Sequence, residues 1–233
     1  MNDLEVIAHA NTPIGTIYLG RRHVLDQEHW TYEIQISGAL LMSSISPVSE
    51  RQLATSALAL DKRPGPFRVL VGGLGLGYTA EAALEDPRVT SVRVVEKMDF
   101  VVDWMNAGKL PLSEAFAVEE RLEIAMGDVY DDLLGPATET YDLILVDVDH
   151  SPDNRLSEAS APFYTVEGQR KVAEHLTPGG CLAVWSASHY DPFMDVLAEV
   201  YPKVSREDVR WNDVEDPARP FHNVLFFGQR ADD

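Results

Sequence analysis

The sequence predicts an α/β fold: an open, mostly parallel sheet covered by helices on both faces and preceded by a small antiparallel β-sheet. Three observations carry that expectation. From Phe67 onward, strand-like apolar runs alternate with helical patterns, the order that buries a parallel sheet between two helical layers. The first of these runs, Phe67-Arg68-Val69-Leu70-Val71, breaks into Gly72-Gly73-Leu74-Gly75-Leu76-Gly77, a strand-to-helix turn of the kind that binds nucleotides. Ahead of it, residues 5 to about 42 alternate apolar and polar positions as strands do.

Taken in order, Val6-Ile7-Ala8, Ile14 to Leu19, Trp30 to Ile36 and Ala39 to Met42 read as strands, with turn chemistry at Asn11-Thr12-Pro13 and Ser37-Gly38. Ser49 is the expected N-cap of a helix, with Gln52 three residues on and Leu53, Ala57, Leu58 and Leu60 at helical spacing. Pro64-Gly65-Pro66 closes it. This division gives a β-strand subdomain over residues 1–48 and a Rossmann-like domain over 49–233. After the glycine turn, a helix is expected from Gly77 through Leu84, a strand over Ser91 to Val95 and a helix from Asp99 to Ala107 with Phe100, Val101 and Trp104 on one side. Arg121 to Ala125 and Tyr141 to Val146 read as strands, with a short helix from Tyr130 to Leu134 between them. Phe163 to Leu176 reads as a helix, Thr177-Pro178-Gly179-Gly180 as a turn, and Cys181 to Trp185 as a strand. A helix from Asp191 to Val200 and a closing antiparallel pair, Val204 to Val209 with Asn223 to Phe227, complete the chain. The segment from Ser151 to Pro162 is a long polar loop of the sort that forms lids.

Chemistry gathers at the ends of the predicted parallel strands, the ligand side of such sheets. Gly72, Gly73, Gly75 and Gly77 let the backbone bend and approach a ligand. Glu96 stands about 20 residues beyond the turn, where this architecture places a carboxylate for the ribose hydroxyls. Asp128 falls where it can accept from an adenine amino group, and Asp147 where it faces the reacting end of the ligand. Asp147 and Asp149 alternate by two, so in extended chain both would face one side. Asp128 and Asp149 also suit a helix N-cap or a loop turn, and His150 is either a base or an ordinary loop histidine. The glycines do not match G-x-G-x-x-G, because the third arrives one residue early, which disfavours an NAD-dependent oxidoreductase.

With 38 acidic against 19 basic residues the formal charge is −19, which argues against nucleic acid and anionic membrane as partners. No apolar run approaches the roughly 18 residues of a membrane span, and Met1-Asn2-Asp3-Leu4-Glu5 lacks the layout of a signal peptide, so a cytoplasmic protein is expected. The single cysteine, Cys181, lies in an apolar run and reads as a core residue. His175, His189 and His222 show no metal-ligand spacing, so no metal is assigned.

In order along the chain, Val69-Leu70-Val71-Gly72-Gly73, Val95-Glu96, Gly127-Asp128, Tyr141 to Asp147, Phe163-Tyr164 and Leu176 to Gly180 resemble the spermidine synthase (polyamine aminopropyltransferase) family. Gly72 to Thr79, Trp104-Met105-Asn106 and Leu145 to Asp149 look most like a bacterial spermidine-synthase-like group. The resemblance implies a class I S-adenosylmethionine-dependent methyltransferase-like fold that binds S-adenosylmethionine or its decarboxylated form as co-substrate. It further implies that Asp147 orients and deprotonates an attacking amine, with Asp149 and His150 on the substrate side. The chain departs from the family's pattern where Gly75 and His150 stand in place of aspartates and Leu53-Ala54-Thr55 in place of a tyrosine-containing signature. The expectation is therefore an aminopropyltransferase acting on a small-molecule amine. The alternatives are a methyltransferase on the same scaffold and a non-catalytic nucleotide-binding relic. An exposed edge of the N-terminal sheet, with the resemblance, leads to an expected homodimer.

Overall fold

The computed structural model describes residues 4–12, 15–24, 30–36 and 38–232. Met1, Asn2, Asp3, Pro13, Ile14 and Ser37, which figure in the readings above, lie outside the described residues. Four strands, β1 (Glu5–Thr12), β2 (Gly15–His23), β3 (Trp30–Ile36) and β4 (Ala39–Ser43), pair in sequence order as an antiparallel sheet. Its inward residues Ile17, Leu19 and Ile34 are buried and join the main core. Helix α1 (Val48–Leu60) follows, then β5 (Phe67–Gly72), α2 (Tyr78–Leu84), β6 (Val89–Glu96), α3 (Asp99–Asn106), the single turn α4 (Ser113–Phe116), β7 (Leu122–Met126), α5 (Val129–Leu134) and β8 (Tyr141–Val146). A 3-10 segment (Glu158–Tyr164) leads into α6 (Val166–Glu174), and β9 (Leu176–Ser186), α7 (Asp191–Ala198), β10 (Lys203–Asn212) and β11 (Pro220–Gln229) end the fold.

The large sheet has seven strands in the order β10-β11-β9-β8-β5-β6-β7. Strands β5 to β9 run parallel, and β11 pairs antiparallel with both β9 and β10. Alternation along each strand sorts the apolar side chains between two layers. Val69, Val71, Leu143, Leu145 and Ala183 pack in the core that includes Leu53, Ala57 and Ala83 of α1 and α2, while Leu70, Ile144, Val146, Leu182 and Val184 pack with Leu133 and Val172 of α5 and α6. That is why Tyr141 to Val146 is apolar almost throughout: both of its faces are covered. Cys181, fully buried in β9 between β8 and β11, has its thiol pushed up to about 12 by burial. No helix among the described residues is long and apolar enough to cross a membrane.

Several local readings need correction. Ser49 is not the N-cap of α1; that position is Pro47, and the Ser49 hydroxyl instead donates to Glu50 Oε2 at 2.8 Å. The helix read over Phe163 to Leu176 is broken at Thr165, whose hydroxyl accepts from Gly168 N as the N-cap of α6. Thr177-Pro178-Gly179-Gly180 is not a turn ahead of a strand but a bulge within β9: Tyr141 pairs with Leu176 and Leu143 with Cys181, so one residue of β8 faces four of β9.

The small sheet is tied to the far end of the chain. Arg22 of β2 donates to buried Glu33 on β3 at 2.7 Å and grips Glu215, in the β10–β11 connection, through two bonds of 2.8 and 2.7 Å. Among the described residues, no further strand pairs with this sheet at β1 or β4, where Val6, Leu40 and Leu41 are exposed.

Candidate functional site

The chain runs β5, β6, β7 outward on one side of the sheet, then crosses to β8 on the other side of β5, so the carboxyl ends of β5 and β8 flank the point where strand order reverses. Open α/β sheets bind ligands in the crevice at such a point. Here Asp147 N donates to Gly72 O at 2.9 Å, and Gly73 follows with φ +92. A Cβ on Gly73 would lie 2.3 Å from Asp147 O, so only glycine allows the turn and the β8 end to approach this closely. Gly73 N donates to Val95 O at 2.9 Å, which links the turn to β6 as well.

A cleft opens over this junction in two connected lobes. The first, of about 260 Å³, is lined by Gly73, Gly75, Glu96, Asp128, Asp147 and Asp149 together with apolar side chains including Val95, Met98, Val101 and Val129. The second, of about 330 Å³, shares Gly73, Gly75, Asp147 and Asp149 and adds Gly77, Thr79, Glu50, His150 and Trp185. Gly72 lines neither lobe; its missing Cβ makes room for the Val129 side chain, which would otherwise stand 2.7 Å away.

Glu96 is buried at the end of β6, and its carboxylate accepts Leu74 N and Met98 N, each at 2.7 Å. It thereby holds the glycine turn against the start of α3 while still bordering the first lobe. Asp128 caps α5, accepting Tyr130 N at 3.0 Å, and takes a 2.6 Å bond from Lys97 Nζ. The helix-cap reading left open for Asp128 is thus present in the structure, in a side chain that also lines the first lobe.

Asp147 and Asp149 do not act on one side as the two-residue alternation suggests. Strand β8 ends at Val146, and beyond it the period of two no longer applies. Asp147 Oδ2 accepts from the Thr79 hydroxyl of α2 at 2.9 Å. Asp149 turns toward α5 and the polar loop, where it is buried and accepts Tyr130 OH at 2.7 Å, Tyr164 OH at 3.0 Å and Leu156 N at 2.7 Å. Burial, added to by the Asp149 carboxylate, holds both tyrosines well above the usual phenol range, so they remain donors. Asp149 therefore pins the 151–162 segment over the cleft. An Asp149→Ala variant orphans three donors, the Tyr130 hydroxyl among them buried, and we expect it to lose about 3 kcal/mol of stability, with a fall of roughly 10 °C in Tm by calorimetry.

The sequence reading missed Glu50. It sits in the first turn of α1 and borders the second lobe near Asp147. Burial first, and then the Glu50 charge, push the Asp147 carboxyl up to about 7, against the lowering effect of the Thr79 hydroxyl bond. Burial also raises Glu50. Two carboxyls that crowd each other in a poorly solvated place favour sharing one proton near neutral pH. Nothing in the local sequence marks Glu50 as different from any acidic residue in a helix's first turn.

His150 is exposed on the rim, with its ring edge-on to Trp185 at 6.4 Å. His189 and His222, without ligand spacing in the sequence, are brought together by strand pairing outside the cleft: each has Nε2 2.8 Å from Asp208 Oδ1 at the surface.

Spermidine synthase from Thermotoga maritima superposes on the whole chain with a TM-score of 0.72 at 16% identity, covering 75% of that protein. A spermidine synthase in complex with the transition-state analogue AdoDATO superposes with a TM-score of 0.74 at 15% identity, again over the whole chain and 76% of that protein. The chain has the spermidine synthase fold. This fold is the class I methyltransferase-like sheet with an added antiparallel sheet of four strands, as the sequence resemblance implied. Among proteins of known activity, putrescine N-methyltransferase 2 of Nicotiana tabacum is 29% identical over 131 residues, 56% of this chain and 35% of that protein. Its Nicotiana attenuata counterpart is also 29% identical over 131 residues. The match thus spans about a third of these relatives' length. No protein-family model matches the chain.

Proposed function

We propose that the chain is a transferase that uses an adenosyl sulfonium donor, with decarboxylated S-adenosylmethionine first in line, to aminopropylate a small-molecule amine. The observation that carries this reading is Asp147: a carboxyl pushed up to about 7 stands at the switch point, in contact with the glycine turn that would cradle the donor. The first lobe suits an adenosyl group. Glu96 lies where ribose hydroxyls would sit, Val95, Met98, Val101 and Val129 offer apolar walls to the base, and Asp128 borders the position of its amino group. Gly72 and Gly77 shape the turn, His150 borders the second lobe, where the amine would sit, and Asp149 contributes by holding the polar loop over the cleft.

The amine lone pair forms a bond to the carbon beside the sulfonium sulfur. The carbon–sulfur bond breaks, and its electron pair stays on sulfur as the neutral thioether of methylthioadenosine. The proton released from the new ammonium passes to Asp147. A neutral thioether needs no metal to leave, so the protein's task is alignment, which supplies several kcal/mol of the barrier. A carboxyl titrating near 7 is a far better proton acceptor at neutral pH than an ordinary aspartate.

A second reading is methyl transfer from S-adenosylmethionine by the same in-line attack, favoured by the match to putrescine N-methyltransferases. Calorimetric titration with the two donors separates them. Tighter binding of the decarboxylated donor supports aminopropyl transfer, tighter binding of S-adenosylmethionine supports methyl transfer, and binding of neither refutes the transferase reading. We further propose that the chain works in the cytoplasm as a homodimer built on an open edge of the small sheet; a monomer by light scattering at high concentration would refute the dimer.

The two groups that set Asp147 give opposite pH shifts. Turnover should rise with pH as Asp147 loses its proton. Glu50→Gln removes a repelling charge and moves that limb to lower pH, whereas Thr79→Val removes the bond that steadies the carboxylate and moves it higher. Profiles of kcat/KM against pH for the two variants check this, and shifts of the same sign would remove Asp147 from the role of base.

A further inference from the structure

Outside the cleft, the fold gathers two imidazoles and one carboxylate that lie far apart in the chain. Asp208 is on β10, His222 is on β11, and His189 stands in the segment between β9 and α7. Strand register explains how they meet. Asp208 pairs with Val224 and Arg210 with His222, so Asp208 and His222 are diagonal neighbours on one face of the β10–β11 ladder. Val224 pairs in turn with Ser186, the last residue of β9. The Ser186 hydroxyl donates to Ser188 O at 2.8 Å in the turn that follows, and His189 arrives at the same carboxylate.

The three groups converge on one point. His189 Nε2 and His222 Nε2 each lie 2.8 Å from a single oxygen, Asp208 Oδ1, and all three ligand atoms fall within 4.8 Å of one another. Metal–ligand bonds of about 2.0–2.2 Å place neighbouring donor atoms about 2.9–3.4 Å apart, so small side-chain rotations make room for an ion. A neutral imidazole with its proton on Nδ1 offers Nε2 as a lone pair. Two such nitrogens with one carboxylate oxygen suit zinc and its neighbours in the first transition row, whereas magnesium and calcium favour oxygen ligands alone. The three side chains are 33–40% exposed, which lets an ion enter from solvent and lets water fill its remaining positions.

The neighbouring cations leave the site accessible. Arg206 is held by Asp191 at 2.6 Å. Arg210, 73% exposed, stands 3.9 Å from the other oxygen, Asp208 Oδ2, where it can steady a carboxylate that binds an ion through Oδ1. We propose that His189, Asp208 and His222 form a binding site for a divalent transition-metal ion, zinc foremost, which clamps the β10–β11 hairpin to the segment leading into α7. The place suits a clamp. Strand β10 is the outermost on its side of the sheet and, among the described residues, pairs with β11 alone. The clamped segment also touches the rim of the cleft, where Ala187 N donates to His150 O at 2.8 Å.

The test needs no substrate and is independent of the transferase reading. The full chain is titrated calorimetrically with zinc chloride and, separately, with calcium chloride in a weakly coordinating buffer. One zinc per chain is expected, bound at least about a hundredfold tighter than calcium. His189→Ala and His222→Ala, both at exposed positions, should each weaken that zinc by at least about tenfold. Zinc at a hundredfold excess over its Kd should raise the Tm of the unaltered chain by about 5 °C and that of either variant by much less. Failure to bind stoichiometric zinc would leave a hydrogen-bonded surface cluster and overturn the proposal. Calcium binding as tightly as zinc would overturn it too, by assigning the affinity to general acidity. Zinc affinity unchanged in either folded variant would remove that histidine from the ligand set and overturn the three-ligand site.

Discussion

Replacing Asp147 by asparagine is expected to lower turnover by about 10²-fold or more while making the protein more stable at alkaline pH. Both effects have one cause. In the folded chain the carboxyl is pushed from an ordinary value of 3.8 up to about 7, because burial and the Glu50 charge penalise its ionised form. A group whose folded pKa is raised contributes stability that is fully present below its unfolded pKa and lost as pH rises through the folded value. Wild-type stability should therefore decline between about pH 4 and pH 7 on account of this group, and the asparagine variant should lack that slope. Asparagine keeps an oxygen to accept from Thr79 and adds an N–H that suits the Glu50 carboxylate. At pH 8 the variant should melt about 5 °C above wild type, with the gap closing toward pH 4. Full turnover in the variant would refute the assignment of Asp147 as base. A melting gap independent of pH would refute the electrostatic account.

Gly73→Ala should be among the most destabilising single substitutions in the chain, and Gly75→Ala, two residues along, should be mild. At Gly73 a methyl group would stand 2.3 Å from a backbone oxygen of the neighbouring strand, in a conformation of φ +92 that other residues rarely adopt. Neither a backbone oxygen nor the end of β8 can step aside without parting β5 from β8. The expected loss exceeds about 4 kcal/mol. At Gly75 the neighbour is the flexible end of Met42 at 3.6 Å, which leaves only the left-handed backbone penalty of about 1–2 kcal/mol. Denaturant melts of the two variants should therefore differ by several-fold in their loss of stability. Similar losses would mean that the close approach of the turn to Asp147 is not what the first glycine is for.

The parts of the fold visible in the sequence are those governed by local pattern. Tyr141 to Val146 reads as a central strand because both of its faces are covered, and the glycine turn reads as a junction because it directly follows another buried run, Phe67 to Val71. Glu96, Asp128 and Asp147 can be placed at strand ends because each closes such a run. What cannot be read is set by contacts between distant segments. Glu50 meets Asp147 only because α1 packs beside α2, and the trio of His189, Asp208 and His222 exists only because β9, which leads to His189, lies beside β11 and β11 beside β10. The bulge at Thr177 to Gly180 presents as a turn because its composition is that of a turn; the register with β8 makes it part of a strand. Asp149 pairs with Asp147 only under a strand rule, and it lies three residues beyond the strand's end at Val146.

Cys181 has a practical use that follows from its place in β9. As the chain's one cysteine, fully buried between two paired strands and with a thiol pushed up to about 12, it is closed to reagents unless the centre of the sheet opens. The rate at which an aromatic disulfide reagent consumes that thiol under native conditions is thus a clock for whole-molecule opening, with no engineered label required. A bound nucleoside should slow that clock in proportion to its saturation, so occupancy of the cleft can be followed at a sulfur atom that touches none of it.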